Sequence, residues 1–154
     1  MDVTDERRLA TEFDDSGASP GLLMWRATNA WQAAQRAALK PHDLTHVQFV
    51  LLASLVWLDA DGPVTQKALA GHAGTDPMMT SQVLRALEST GLVQRRPHPS
   101  DARARAVVAT EKGVALANRA VGSVEAVDRD FFGPLGSRAA ELVELLAVLG
   151  GHRD

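Results

Sequence analysis

Residues 76 to 113 set an Asp-Pro pair, an amphipathic run, a glycine and two β-prone runs around a loop rich in proline and arginine, "DPMMTSQVLRALESTGLVQRRPHPSDARARAVVATEKG". Asp76 before Pro77 is a strong helix start. An aspartate side chain accepts from the free amides of the first turn, and a proline at the first helical position has no amide to leave unbonded. Gly91 supplies the left-handed stop. The helix between them is expected to bury Met79, Val83, Leu84 and Leu87 and to leave Met78, Ser81, Gln82 and Arg85 on its open face, because those positions follow the i, i+3, i+4, i+7 spacing of one side. "LVQRR" and "RAVVAT" then read as two short strands flanking "PHPSDA", a hairpin.

The rest of the chain reads as helices around this unit. Residues 1 to 19 are polar, acidic and rich in turn formers, and are expected to form a flexible arm. Leu22, Leu23, Trp25, Ala30, Trp31 and Ala34 recur at helical spacing in a long first helix that Pro41 stops. Thr45 and Gln48 form a capping box before "VQFVLLASLVWL", which is apolar on nearly every side and so belongs in the middle of a core. Thr65 caps a short helix, "QKALAGHA". Thr110 caps a long one that carries Val114, Ala117, Val121, Val124 and Val127 on one side. "FFGPLG" breaks the chain before a last helix from Ser137 to about Leu149.

Charge is segregated along this plan. The net charge is −3, yet Arg95, Arg96, Arg103 and Arg105 stand against the single acid Asp101 between Gln94 and Ala106, while Asp2, Asp5, Glu6, Glu12, Asp14 and Asp15 crowd the beginning. With 45% apolar and 23% charged residues the composition is that of an ordinary folded domain. The absence of cysteine removes disulfides, thiolate metal sites and a thiol nucleophile. No apolar run reaches the length of a membrane span and the beginning lacks the features of a signal peptide, so the expected location is cytoplasmic.

A short helix, a tight turn, a capped helix with a polar face and a basic hairpin is the layout of a winged helix-turn-helix. In that layout the second helix enters the major groove. Gln82 is suited to adenine, Arg85 to guanine or a phosphate, and Met78 to a thymine methyl. Arginine at a hairpin tip suits the negative potential of a narrow minor groove. The expected DNA-binding residues are therefore Met78, Ser81, Gln82, Arg85, Arg95, Arg96, Arg103 and Arg105.

"TQKALAGHAGTDPMMTSQVLRALESTGLVQRRPHPSDARARAVVATEKG", residues 65 to 113, resembles the DNA-binding lobe of the MarR family of bacterial transcriptional regulators. "GLV.R", the wing pattern of Pro99, Asp101 and Arg103, and the closing "TEKG" carry the likeness, and "LTHVQFVLLASLVWL" extends it. The resemblance implies an all-α fold with a small two-stranded β-wing and N- and C-terminal dimerisation helices. Residues 20–154 would form a single domain, with 20–44 and 111–154 dimerising and 45–110 making the winged-helix lobe. It further implies a homodimer that binds a pseudo-palindrome in double-stranded DNA and is often released by a small aromatic or phenolic effector. In this pattern Asp101 and Arg103 shape the wing, with Arg103 inserted in the minor groove or paired with an acid such as Asp76, which makes Asp76 and Asp101 the wing-shaping acids. Many members carry arginine where this chain has Gln82, so base preference does not carry over.

Trp25, Arg26, Trp31 and His46 are the candidates for binding an aromatic or phenolic effector, with core packing as the plainer role of the tryptophans. His42 and His46 lack a third ligand at zinc spacing, so no metal is expected. No cofactor is implied. No activated nucleophile, acid-base pair or phosphate-cradling loop is visible, which argues against an enzyme. The competing function is a winged-helix adaptor for other proteins, or an architectural dimer without specific DNA binding, and overall acidity favours that alternative.

Overall fold

The computed structural model of the chain describes residues 9–150. Its elements are α1 (Pro20–Leu39), α2 (His46–Asp59), β1 (Val64–Thr65), α3 (Gln66–Ala73), α4 (Pro77–Ser89), β2 (Val93–Pro97), β3 (Arg105–Ala109), α5 (Glu111–Phe132) and α6 (Ala139–Leu149), with short 3-10 turns at Ser16–Ala18, Lys40–His42 and Gly133–Arg138. The helix starts follow from local chemistry. Thr45 accepts from the Gln48 amide while the Gln48 side chain accepts from the Thr45 amide, and Thr65, Asp76 and Thr110 cap α3, α4 and α5 in turn.

The expected all-helical body with a small wing is present, with one addition. β2 and β3 pair antiparallel, Val93 opposite Ala109 and Pro97 opposite Arg105, and β1 pairs with the far side of β3, Val64 opposite Val107. The sheet therefore has three strands in the order β1-β3-β2, where two were expected. A two-residue strand is too short to show any period, so only its neighbour reveals it.

The core lies where α2 meets α1, α3, α4, α5 and β3. Leu39, Leu51, Leu52, Leu55, Leu69, Leu84, Leu87, Val93 and Val107 are fully enclosed. The stripe of α4 is rotated from the expected one: Thr80, Leu84 and Leu87 are buried, whereas Met79 is 44% exposed. Thr80 enters the core because its hydroxyl is satisfied there, donating to the Asp76 carbonyl at 2.8 Å and pairing with the Thr75 hydroxyl at 2.6 Å.

The two ends of the chain are different. The first half of α1 is exposed throughout, with Leu22, Leu23, Met24 and Trp25 uncovered, and α6 buries no residue although Val143, Leu145, Leu146, Val148 and Leu149 are apolar. Among the described residues no helix is long and apolar enough to cross a membrane. The beginning of the expected arm, residues 1–8, lies outside the described residues. Its end is ordered, because Asp15 caps the 3-10 turn and Ser19 accepts from the Leu22 amide to start α1.

Candidate nucleic-acid interface and the interhelical cluster

Asp76 Oδ1 accepts from the Met78 amide at 3.0 Å and fixes the start of α4. Met78, Gln82 and Arg85 are exposed along the helix and Ser81 half-buried beside them, with Arg85 within 3.4 Å of the Ser81 hydroxyl. This is the open face the spacing predicted. Three of its four side chains can donate or accept hydrogen bonds, and Met78, 71% exposed, offers an apolar tip.

The wing is held by its own turn chemistry. Asp101 Oδ1 accepts from the Arg103 amide at 3.0 Å, its carbonyl accepts from the Ala104 amide at 3.1 Å, and the His98 ring accepts from the Ser100 amide at 3.2 Å. Asp101 thus accepts two hydrogen bonds within the loop. Arg103 and Arg105 line a shallow depression of about 380 Å³ with Thr65, Gln66 and Lys67 from the start of α3. Lys67 adds a further cation beside them, two residues after the Thr65 cap.

Arg95 departs from the expected set. Its side chain is only 12% exposed and folds back on α4, where Nη2 donates to the Ser81 carbonyl at 3.1 Å and Nε lies 4.0 Å from Glu88. Strand alternation explains this, since Arg95 and Arg96 project from opposite faces of β2. Arg96 is exposed, and its side chain donates to Gln94 at 2.7 Å. Among the described residues the ion pairs are Arg95–Glu88 and Arg138–Glu141, so Arg85, Arg96, Arg103 and Arg105 face solvent without a carboxylate partner. The alternative pairing of Arg103 with Asp76 is not formed.

Of the four effector candidates, the fold brings two together. The Trp31 and His46 rings meet edge to face at 5.0 Å, and Trp31 Nε1 donates to Asp128 at 2.8 Å. Gln35, fully enclosed, donates to the same carboxylate oxygen at 2.8 Å and to the Val124 carbonyl at 3.3 Å, while its own Oε1 has no partner. Burial, and next the charge of Arg36, hold the His46 pKa below its usual 6.5, partly opposed by Asp128. Trp25 and Arg26 stand apart on the exposed half of α1, and Arg26 makes no hydrogen bond among the described residues. Gln35 and Asp128 were missed because nothing local in the sequence links positions so far apart.

A capped helix with a polar open face, a preceding short helix and a three-stranded sheet ending in a basic hairpin define a winged helix-turn-helix protein. The sequence profile of the MarR family matches residues 44–104. The chain is 43% identical over 123 residues, 79% of its length, to the uncharacterized HTH-type transcriptional regulator YdcH of Bacillus subtilis, of which 84% is covered. This protein belongs to the MarR family of transcriptional regulators, which are not enzymes. Its fold is also that of a MarR-family regulator from Rhodococcus sp. RHA1, with a TM-score of 0.83 at 24% identity over 92% of this chain and 100% of that one. CouR of Rhodococcus jostii RHA1, solved with p-coumaroyl-CoA, matches with a TM-score of 0.79 at 25% identity over 92% of this chain and 99% of that one. CouR has also been solved as a transcriptional repressor on a 23-mer DNA duplex, and that form matches at 27% identity with a TM-score of 0.76.

Proposed function

We propose that the chain acts as a homodimeric, sequence-specific repressor, working in the cytoplasm on a pseudo-palindromic operator. The observation that carries this is the set of arginines, Arg85 on the open face of α4 and Arg96, Arg103 and Arg105 on the wing, that are exposed and have no carboxylate partner among the described residues. Met78, Ser81, Gln82 and Arg85 meet base edges in the major groove, and the wing carries Arg103 and Arg105 to the backbone and minor groove. Asp76 and Asp101 act indirectly, by setting the start of α4 and the turn of the wing. Arg95 braces α4 against β2. A mildly acidic body costs little, since positive charge is needed only where phosphates approach.

The domain plan follows the same logic. Residues 45–110 form the DNA-binding lobe, while 20–44 and 111–154 join two copies by covering the apolar side chains of α1 and α6. Two symmetric lobes would read half-sites about 10 base pairs apart, centre to centre. The Trp31–His46–Asp128 cluster bridges α1, α2 and α5, and an aromatic or phenolic effector bound there releases DNA by favouring a dimer with different lobe spacing. CouR, with its p-coumaroyl-CoA and DNA complexes, supports a regulator of this kind.

The test is fluorescence anisotropy with duplex DNA from upstream of the gene, against a scrambled duplex, at several salt concentrations. Sequence-dependent binding whose logarithm falls linearly with the logarithm of salt concentration supports a specific regulator. Equal, weak binding to both duplexes would overturn it in favour of the adaptor.

A further inference from the structure

The chain has no cysteine, so its oxidisable sulfur is confined to the methionines Met1, Met24, Met78 and Met79. Susceptibility of a sulfur to oxidation follows its exposure, and the three described methionines differ in it. Met78 is 71% exposed, Met24 52% and Met79 44%. Met24 lies on the half of α1 that a second copy is proposed to cover, and Met79 is not one of the open-face positions of α4. Met78 stands on that face in the first turn of the helix, with most of its surface in solvent.

Its surroundings give an added oxygen something to do. The Met78 amide is tied to Asp76 Oδ1 at 3.0 Å, so chemistry at the sulfur leaves the start of the helix intact. Four residues on stands Gln82, exposed, its carboxamide making no hydrogen bond among the described residues. Side chains at i and i+4 are neighbours on a helix surface. A thioether is a weak acceptor for that carboxamide, whereas a sulfoxide is polar and its oxygen accepts well.

We infer that Met78 is a reversible oxidation site for hypochlorous acid, and that the oxygen of its sulfoxide accepts from the Gln82 amide. In the forward step the sulfur lone pair attacks the chlorine of hypochlorous acid and hydroxide leaves; water then adds to sulfur as chloride departs. The sum is thioether and hypochlorous acid giving sulfoxide, chloride and a proton, with two electrons passing from sulfur to chlorine. In the reverse step two thiols of a methionine sulfoxide reductase system return two electrons, giving thioether, a disulfide and water. The effect on DNA rests on the proposed reading of α4, but the chemistry at Met78 does not. On that reading the apolar tip offered to a thymine methyl becomes polar, and Gln82 is drawn back along its own helix away from adenine. A chain without thiols thereby answers an oxidant.

The full chain, labelled with carbon-13 at its methionine methyls and nitrogen-15 at glutamine side chains, is treated with substoichiometric hypochlorite, followed by NMR and mapped by peptide fragmentation mass spectrometry. Oxygen is expected on Met78 before the other methionines, the Gln82 side-chain amide signals are expected to move in step, and both changes should reverse with thiol and sulfoxide reductases of the two epimer specificities. Oxygen arriving first on Met24, Met79, Trp25 or Trp57, or Gln82 signals that stay in place, would overturn the inference. Anisotropy on the upstream duplex is then read before and after treatment. The parent should lose about tenfold in affinity and recover on reduction, whereas Met78→Leu, whatever its own affinity, should hold one value throughout. Equal losses in the parent and in Met78→Leu would overturn the assignment to Met78. If the untreated parent does not prefer the upstream duplex to a scrambled one, the operator reading fails, and the mass and NMR results still decide the site.

Discussion

Gly113, on the first turn of α5, lies against the backbone carbonyl of Leu92 so closely that a Cβ at that position would overlap the oxygen. Around this contact Thr110 donates its hydroxyl to the Gly91 carbonyl at 2.6 Å, and the Thr110 amide donates to Leu92 at 3.0 Å. The end of α4 is thereby fastened to the start of α5. A carbonyl fixed by backbone bonding has little room to move, so Gly113→Ala is expected to cost about 1 to 3 kcal/mol. Gly71→Ala, where a Cβ meets open space within a helix, should instead stabilise by roughly 0.5 to 1 kcal/mol. Thermal melts of the two variants check the contrast.

Thr80→Val keeps the shape of a fully enclosed side chain but removes the hydroxyl that pairs with Thr75 and Asp76. A loss of about 1 to 2 kcal/mol is expected in chemical denaturation, because the Thr75 hydroxyl loses its partner in a half-buried site.

The arginines should separate by role. Arg103→Ala is expected to weaken operator binding and flatten its salt dependence with little change in base preference, whereas Gln82→Ala should relax preference at one position per half-site by about 1 to 3 kcal/mol. Arg95→Ala should lower the melting temperature more than either. Anisotropy titrations over a set of base-substituted duplexes, paired with melts, distinguish these outcomes.

His46 predicts a pH dependence. Its folded pKa lies below 6.5, so the unfolded chain binds the proton more readily. The stability this neutral ring contributes is present above the unfolded value and is lost as pH falls from 6.5 through the folded pKa. His46→Gln should remove that part of the acid-side decline, which urea denaturation at a series of pH values would measure.

The exposed apolar side chains of α6 should report on assembly. Leu145→Glu places a charge on a surface proposed to be covered by a second copy, and light scattering after size exclusion should find a smaller particle than for the parent chain. An unchanged mass would show that α6 is not part of the contact.

The elements with strong local chemistry were legible in the chain. The Asp76-Pro77 start, the Thr45–Gln48 capping box and the Gly91 stop each depend on residues within four positions of one another, and each forms where its spacing predicted. Features that depend on a distant partner were not. β1 exists because β3 lies beside it, Thr80 is buried because Thr75 and the Asp76 carbonyl receive its hydroxyl, and Arg95 turns inward because Glu88 and the Ser81 carbonyl are there.

Sequence alone therefore determined the order and ends of the helices, the basic hairpin and the open face of α4, since caps, turns and periodicity are short-range effects. Only the tertiary structure decided which arginines stay free, that Trp31, Gln35 and His46 gather around Asp128, and that Gly113 is needed against Leu92. Those outcomes are set by side chains and carbonyls that approach from far along the chain, where hydrogen-bond satisfaction and packing override local pattern.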